Sequence, residues 1–169
     1  NPAPIQPRWV DYIKDFQITA FAPGVLFHTA PNPNNDLFDL TVSYDYGDKH
    51  QPGFCTVMDE LNFAGTGQAS AADVARRFFE MGGKASFSCG DYGFLMRLQG
   101  LDSQLENALQ LGESVLWNAK LDEQRFQAKL ENLLADRADE KKDPKTLRQA
   151  LRNYIRYGER SGFLDRPSS

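Results

Sequence analysis

Apolar and polar positions alternate with a period of two in the first quarter of the chain, which predicts β-strands. Two short β-rich runs, Gln17 to Phe21 and Val25 to Thr29, are separated by Ala22-Pro23-Gly24, and this arrangement predicts a hairpin. Residues Leu37 to Tyr46 place Phe38, Leu40, Val42 and Tyr44 on one face and Asp39, Thr41 and Ser43 on the other. That run is predicted to be a half-buried strand.

The period changes to that of a helix after Gly53. The run Phe54 to Phe63 carries apolar residues at helical spacing, and Ser70 begins a capping-box-like start for a second helix that ends at Gly82-Gly83. Val74, Phe78 and Met81 are expected to face inward from this second helix. Two strands follow, with Ala85, Phe87 and Cys89 on one face of the first and Phe94, Met96 and Leu98 on one face of the second.

Three helices are predicted for the C-terminal part of the chain. The first is capped by Asp102 or Ser103, the second runs from about Asp122 to Lys141, and the third begins at Asp143-Pro144. The residues expected to be buried by the second and third helices are Phe126, Leu130, Leu133, Leu134, Leu147, Leu151, Tyr154 and Ile155.

The element order β-β-β-α-α-β-β-α-α-α predicts an α+β fold, an antiparallel-rich sheet covered by helices. One core is expected to contain Phe38, Leu40, Val42, Phe87, Phe94, Met96, Leu98, Leu105, Leu109, Leu116, Phe126, Leu130 and Leu134. Residues 1–15, proline-spaced and without an initial Met, are expected to be a linker or processed segment. Residues 16–160 then form the domain, and residues 161–169 form a truncated tail of a longer protein.

Composition excludes several classes of partner. The chain has 169 residues and a net charge of −4, so no overall positive field attracts nucleic acid. No apolar run approaches the roughly 20 residues that a membrane helix needs. We therefore expect neither a nucleic-acid nor a membrane partner. The arginines repeated every four residues along the last helix, Arg148, Arg152, Arg156 and Arg160, are expected to form a solvated or domain-facing surface.

Cysteine and histidine are scarce, which narrows the possible chemistry. Cys55 and Cys89 match no zinc spacing and are expected to be two buried thiols, with a single bridge left open for an oxidising compartment. His28 and His50 are the only imidazoles and are not at i, i+4 spacing. His28 lies in a predicted strand with no Ser or Cys nucleophile to pair with, and the chain has no phosphate-binding or G-x-S-x-G motif.

The segment from the third strand to the end of the following helix resembles the insulinase/pitrilysin zinc metallopeptidases. In that family a strand leads into a glycine-containing loop, then a helix bearing H-x-x-E-H, then a Phe-x-Gly-Thr turn. Here Tyr44-Asp45-Tyr46-Gly47-Asp48 precedes Gly53-Phe54-Cys55-Thr56-Val57-Met58-Asp59-Glu60-Leu61-Asn62-Phe63-Ala64-Gly65-Thr66. The similarity of ordered features extends over nearly all of Phe16 to Gly158 and implies an insulinase/mitochondrial-processing-peptidase-like metallohydrolase domain.

The residues that carry the family's chemistry are replaced. H-x-x-E-H becomes Thr56-Val57-Met58-Asp59-Glu60, so Thr56 and Glu60 stand for the two histidines and Asp59 for the catalytic glutamate. The third ligand falls on Asp136, shortly before the acidic run that ends at Pro144. Thr56, Glu60 and Asp136 would form an all-oxygen set that suits Mg²⁺ or Ca²⁺ rather than Zn²⁺. We expect them instead to be ordinary polar residues on the solvent side of two helices.

The resemblance therefore implies a non-catalytic domain without a cofactor of its own, from the C-terminal half of a long bacterial metallopeptidase. Zinc is expected in a catalytic domain of that parent protein, whose location would be periplasmic or secreted. The expected partners are other domains of the same polypeptide and a peptide or protein substrate. Two alternatives stay open: a free-standing inactive subunit that acts as a binding module, and a hydrolase that uses Asp59, Glu60 and Asp136 with a hard cation.

Overall fold

The structure is a computed structural model that describes residues 9, 11 and 13–164. Compactness divides the chain into two units, Asn1–Leu37 and Phe38–Ser169. Most of the segment 1–15 and the end of the tail 161–169 lie outside the described residues, so these two expectations stay predictions. No helix in the described ranges is long and apolar enough to cross a membrane.

The described part of the first unit is built on a β-hairpin. Strand β1 (Gln17–Ala22) pairs antiparallel with β2 (Val25–Thr29), with Gln17 opposite Thr29. Gly24 has φ +77° in the turn, a backbone conformation that glycine adopts without the steric cost other residues meet. The predicted hairpin is confirmed.

The second unit contains two small sheets. Its main sheet has the strand order β3-β6-β5, and a second sheet pairs β4 with β7. Strands β5 and β6 pair antiparallel, with Phe87 opposite Met96. The bounds of the strands are β3 Leu37–Tyr44, β4 Gly65–Thr66, β5 Lys84–Cys89, β6 Phe94–Leu101 and β7 Ala119–Lys120. The predicted α+β class with antiparallel pairing is confirmed, whereas the two-residue strands β4 and β7 are too short for a pattern to predict.

In the described residues, five α-helices accompany the sheets. They are α1 Phe54–Met58, α2 Ala71–Glu80, α3 Leu105–Trp117, α4 Glu123–Glu140 and α5 Pro144–Tyr157. The predicted caps Ser70 and Asp143 are present: Ser70 accepts from the backbone N–H of Asp73, and Asp143 from that of Thr146. Asp122, predicted as the approximate start of a helix, also caps it by accepting from the backbone N–H of Arg125. These bonds satisfy N–H groups that the first turn of a helix leaves unpaired.

Two predicted helices differ in detail from the structure. The run Phe54 to Phe63 is α-helical only to Met58, and Asp59–Phe63 continues as a 3-10 turn. Neither Asp102 nor Ser103 caps α3, because Asp102–Gln104 forms its own 3-10 turn and α3 begins at Leu105 without a side-chain cap. Tighter turns of this kind are common at helix ends, and apolar spacing does not distinguish them from an α-helix.

The core lies between one face of the main sheet and helices α2 and α3. Phe94, Met96 and Leu98 of β6 are almost completely buried. Helix α3 comes close to them because of Gly112, where an added Cβ would lie 3.1 Å from a methyl carbon of Leu98. Ala108 and Val115 of α3 complete the contact. The alternation predicted for β3, β5 and β6 is confirmed, since the other face of these strands is largely exposed.

The core predicted for the last two helices is wrong. Neither α4 nor α5 contributes a buried residue, although both carry apolar stripes. Phe126 and Leu130 are half-buried outside the core cluster, and Leu134 is exposed. Leu105, at the start of α3, is also exposed. The apolar residues of α5 that were expected inside are exposed as well: Leu147, Leu151, Tyr154 and Ile155. The reason is that the core face of the sheet is already covered by α2 and α3.

Candidate functional site

The four residues at the family's metal and catalytic positions lie in different environments. Thr56 is in α1, Asp59 and Glu60 are in the 3-10 turn that follows it, and Asp136 is on α4. Thr56 and Asp59 are half-buried, Glu60 is buried with 4% exposure, and Asp136 is exposed. Sequence analysis expected all of them on the solvent side, and for Glu60 that expectation is wrong.

Glu60 is buried because two cationic side chains of α4 bind its carboxylate. Arg125 Nε lies 2.9 Å from Glu60 Oε2, and Lys129 Nζ lies 2.9 Å from Glu60 Oε1. Arg125 and Lys129 are four residues apart on one helix, so they present their charges from the same face. Each oxygen of the buried carboxylate therefore has its own cation, which offsets the cost of removing the charge from water.

The two cations make further contacts with the same segment. Lys129 Nζ also donates a hydrogen bond of 3.1 Å to the backbone oxygen of Thr56. The guanidinium carbon of Arg125 lies 3.6 Å from the centroid of the Phe63 ring, a cation–π contact. We call Glu60, Arg125 and Lys129 the ion cluster; together with these contacts it fastens the first half of α4 to α1 and the 3-10 turn.

The ion cluster fixes the protonation state of Glu60. Burial by itself raises the pKa of a carboxyl group, but the hydrogen bonds and charges of Lys129 and Arg125 outweigh it and hold the pKa of Glu60 below its ordinary value. Glu60 is therefore ionised at neutral pH. Its negative charge is neutralised by a guanidinium and an ammonium group rather than by a metal.

The residues at the family's three ligand positions are not arranged as a metal site. Asp136 lies seven residues after Lys129 and eleven after Arg125, which places it about 10 Å and about 16 Å further along the helix axis than these two residues. Within residues 9, 11 and 13–164, no group of three or more His, Cys, Asp or Glu side chains is placed to hold a metal ion. Thr56 supplies a neutral hydroxyl, and both oxygens of Glu60 are bound to cations, so this donor set does not fit zinc.

Cys55 and Cys89 form a disulfide, so the expectation of two thiols is wrong and the alternative of one bridge is right. Their Cα atoms are 5.1 Å apart, and the bond joins α1 to the end of β5. The loops that contain Gly47 and Gly90 also lie very close to each other: a Cβ added at Gly47 would be 2.1 Å from the backbone oxygen of Gly90. Two cysteines in separate elements 34 residues apart carry no sequence signal for pairing, which only the fold provides.

The outer edge of β5 is partly closed by a side chain. The backbone N–H of Phe87 donates to Asn62 Oδ1 at 2.9 Å, and Asn62 Nδ2 donates to the backbone oxygen of Phe87 at 2.7 Å. The amide of Asn62 thus takes the two backbone groups that an added peptide strand would use at this position. The solvent-facing side of the main sheet is mostly polar. It carries Thr41, Ser43, Ser86, Ser88 and Arg97, and three leucines, Leu37, Leu95 and Leu101, are exposed on it as well.

Sequence reasoning missed Arg125, Lys129 and Asn62. The first two are an ordinary i, i+4 pair of basic residues on a helix whose surface is mostly charged, and Asn62 is one polar residue in an apolar run. No spacing distinguishes them from solvated residues. Their roles arise only where α4 and β5 meet the segment after α1.

Comparisons of the fold reveal similar solved structures. An inactive domain of peptidase M16 from Pseudomonas fluorescens superposes with a TM-score of 0.70 and 19% identity, covering 91% of this chain and 38% of that one. A periplasmic protease from Escherichia coli, PqqL, gives 0.65 and 14%, covering 92% and 19%. A protease from Helicobacter pylori gives 0.56 and 17%, covering 72% and 30%. Neither protein-family models nor curated protein sequences match the chain.

These comparisons confirm the expected fold. At identities below a fifth, the likeness extends to the arrangement of helices and strands that this chain shares with peptidase M16 domains and bacterial proteases. The chain spans less than two fifths of the length of each of these neighbours.

Proposed function

We propose that this chain is a non-catalytic domain of an M16-type zinc peptidase, which forms part of the substrate chamber and packs against other domains of the same polypeptide. The observation that carries the proposal is the ion cluster. At the position of the second zinc-binding histidine stands a buried carboxylate whose two oxygens are taken by Arg125 and Lys129. The inactive M16 domain from Pseudomonas fluorescens, which shares this fold, supports the same assignment.

The chemistry of the cluster opposes metal binding in two ways. A zinc site needs three ligands with free lone pairs and an open position for water. Each oxygen of Glu60 already binds a cation. Those cations would repel a divalent ion at the same place by several kcal/mol at a separation of about 4 Å, even with an effective dielectric constant near 20. The cluster also links the segment after α1 to α4, as a metal bound by residues of both elements would.

Asp59 stands where the catalytic glutamate is expected, but nothing prepares it for that role. A general base must lie within hydrogen-bond reach of a water that is itself held and activated. The ligand positions around Asp59 provide no Lewis acid to activate that water. We therefore assign no catalytic residue in this chain and expect the zinc of the parent protein to lie in another domain.

The polar side of the main sheet is the surface we propose as chamber wall. It is exposed and lies opposite the core. Its hydroxyl groups can donate hydrogen bonds to an extended peptide or accept them from it, and Arg97 can donate them. Asn62 closes the edge of β5 at Phe87, so strand addition at that position is disfavoured. Peptide contact is therefore proposed for the face of the sheet rather than for this edge.

The disulfide supports an extracytoplasmic parent. Disulfides persist in the bacterial periplasm and in secreted proteins, whereas the cytosol keeps thiols reduced. The Escherichia coli neighbour is a periplasmic protease. We propose the same compartment for the protein that contains this chain.

Zinc analysis of matched variants tests the proposal. The purified chain is expected to contain no stoichiometric zinc and to show no chelator-sensitive cleavage of a fluorogenic peptide library. Restoring the histidines with Thr56→His and Glu60→His is expected to give only weak zinc binding while Arg125 and Lys129 remain. Adding Arg125→Ala and Lys129→Ala should strengthen zinc binding by at least about tenfold, because the competing charges are gone.

The control is the pair Arg125→Ala and Lys129→Ala in the otherwise unchanged chain, which should bind no zinc. Stoichiometric zinc with chelator-sensitive cleavage in the original chain would contradict the proposal. If the variant with both histidines binds zinc equally well with and without Arg125 and Lys129, the ion cluster does not oppose zinc binding and no longer supports the proposal.

A further inference from the structure

Helix α5 presents an apolar stripe that the described residues do not cover. Ile155 is 76% exposed and Leu151 60% exposed, and no residue of α5 is buried. Leu147 and Tyr154 complete the stripe at i, i+4, i+7 and i+8 spacing, so all four side chains lie on one side of the helix. Four large apolar residues grouped in this way exceed the scattered single exposures that are normal on a surface.

The stripe borders a cleft of about 490 Å³ between the end of α4, α5 and the segment after it. Leu147, Leu151, Tyr154 and Leu164 contribute apolar walls. Its charged lining residues are Arg137, Glu140 and Lys141. A cleft of this size and lining accepts one or two inserted apolar side chains, which a flat apolar surface does not.

The charge beside the stripe selects the partner. Helix α5 carries Lys145, Arg148, Arg152 and Arg156 and no acidic residue, although the chain as a whole carries −4. Arg148 and Arg152 are one helical turn from Leu151 and Ile155, so they form a basic row along one edge of the stripe. In the part of the chain that the structure describes, these two arginines make no ion pair.

We infer that this surface of α5 docks an acidic amphipathic polypeptide segment, one that offers a row of apolar side chains to the stripe and cleft and a row of carboxylates to Arg148 and Arg152. The inference rests on the proposed domain-packing role and specifies its chemistry: the complementary segment belongs to a neighbouring domain of the parent polypeptide.

Two other occupants fit the surface less well. A second copy of this chain that docked symmetrically through α5 would bring the two arginine rows together, and like charges in an interface are unfavourable. An anionic membrane would satisfy the charges, but it has no side chains to enter the cleft. Both are outcomes of the test.

Fluorescence anisotropy with synthetic probes tests the inference. The probe is a labelled helical peptide of about 18 residues, with leucines at i, i+3, i+4 and i+7 and glutamates along one edge; a matched probe has glutamine in place of glutamate. The glutamate probe is expected to bind about three- to tenfold tighter than the glutamine probe at low salt, and this preference should shrink at about 0.3 M salt.

Variants of exposed residues separate the two parts of the surface without risk to folding. Leu151→Ser with Ile155→Ser should weaken both probes by at least about tenfold, since two buried leucine-sized side chains are lost from the contact. Arg148→Gln with Arg152→Gln should remove the preference for glutamate and leave glutamine-probe binding unchanged. Leu134→Ser is the control, because Leu134 is also exposed, at 42%, but lies on α4 outside the cleft lining.

Three results would overturn the inference. They are absence of glutamate-probe binding, equal binding of the two probes, and binding that the Leu151 and Ile155 changes do not affect. Co-sedimentation only with phosphatidylglycerol vesicles, or a concentration-dependent dimer that Leu151→Ser dissolves, would also replace it with a membrane or self-association role. None of these results tests zinc binding. The proposal that this domain is non-catalytic is tested separately, by the zinc analysis of the matched variants.

Discussion

Helices α3 and α5 both carry apolar residues at helical spacing, but only α3 is covered. The most buried residues of α3 are Ala108, Gly112 and Val115, which lie against β6 and are almost inaccessible to solvent. In α5 the stripe includes Leu151 and Ile155, which are more than half exposed. The fully buried positions of α3 are small residues, and its leucines Leu109, Leu111 and Leu116 pack around them, whereas the stripe of α5 consists of large residues that stay exposed.

The difference lies in what each helix must approach. Gly112 and Ala108 allow α3 to come within contact distance of Leu98 and Met96, so α3 is shaped for a surface inside this chain. Helix α5 keeps long apolar side chains and a cleft, which suits a partner with side chains of its own. Small residues thus stand where a helix comes closest to the sheet, and an apolar stripe by itself does not tell which surface, if any within the chain, covers the helix.

The strongest way to break this comparison is to truncate one leucine-sized residue in each region. Leu98→Ala should lower the free energy of unfolding by about 3 to 5 kcal/mol, because a fully buried side chain is lost and a cavity remains. Ile155→Ala should change it by less than about 0.5 kcal/mol, because that side chain is already in water. Urea denaturation of both variants measures the effects. Similar losses would mean that α5 is packed in solution.

The disulfide should rank second in effect. Cys55→Ser with Cys89→Ser opens a link between residues 34 apart, and chain-entropy arguments give a loss of about 3 to 4 kcal/mol for a loop of that size. The unfolding midpoint in urea should fall, and a reducing agent should shift the original chain to the same midpoint without affecting the double variant. An original chain indifferent to reducing agent would show that the bond does not form.

The residue pattern alone is sufficient to predict the strands of the main sheet and the starts of three helices. Period-two alternation identifies the core faces of β3, β5 and β6, and Ser70, Asp122 and Asp143 mark helix starts, because each signal depends on neighbours a few residues away. The exposure of Leu151, the disulfide and the burial of Glu60 depend on which distant elements meet. Which turn of α4 faces the 3-10 turn depends on the same long-range packing, so position along the helix alone does not predict that Arg125 and Lys129 bind Glu60 while Asp136 stays exposed.

The ion cluster joins α4 to the 3-10 turn after α1, and removing its charge should have the third effect. Glu60→Gln keeps the shape but leaves Arg125 and Lys129 without their carboxylate, and we expect a loss of about 2 to 3 kcal/mol at neutral pH. That is below the usual 3 to 5 kcal/mol for a broken buried pair, because both cations are partly exposed and screened by water. Asp136→Asn is the matched control on the solvent side of α4 and should have almost no effect. A harmless Glu60→Gln would show that the cluster does not hold α4.

The smallest effect concerns Asp39 and Arg97, an exposed ion pair on the polar side of the sheet. Arg97 Nε donates to Asp39 Oδ1 at 2.9 Å, Arg97 also binds Oδ2, and Gln99 Nε2 donates to Oδ2 at 2.8 Å. The hydrogen bonds from Arg97 lower the pKa of Asp39 below its ordinary value of 3.8. A lowered folded-state pKa means that the pair stabilises the fold above pH 3.8, and that this contribution is lost as the pH falls through the folded-state pKa.

Asp39→Asn should therefore lower the unfolding midpoint at pH 7 by less than Glu60→Gln does, and the difference from the original chain should shrink as the pH falls below 3.8. Urea titrations at several pH values measure this. A difference that stays constant down to the most acidic pH would assign the loss to packing of the Asn side chain rather than to the charge of Asp39.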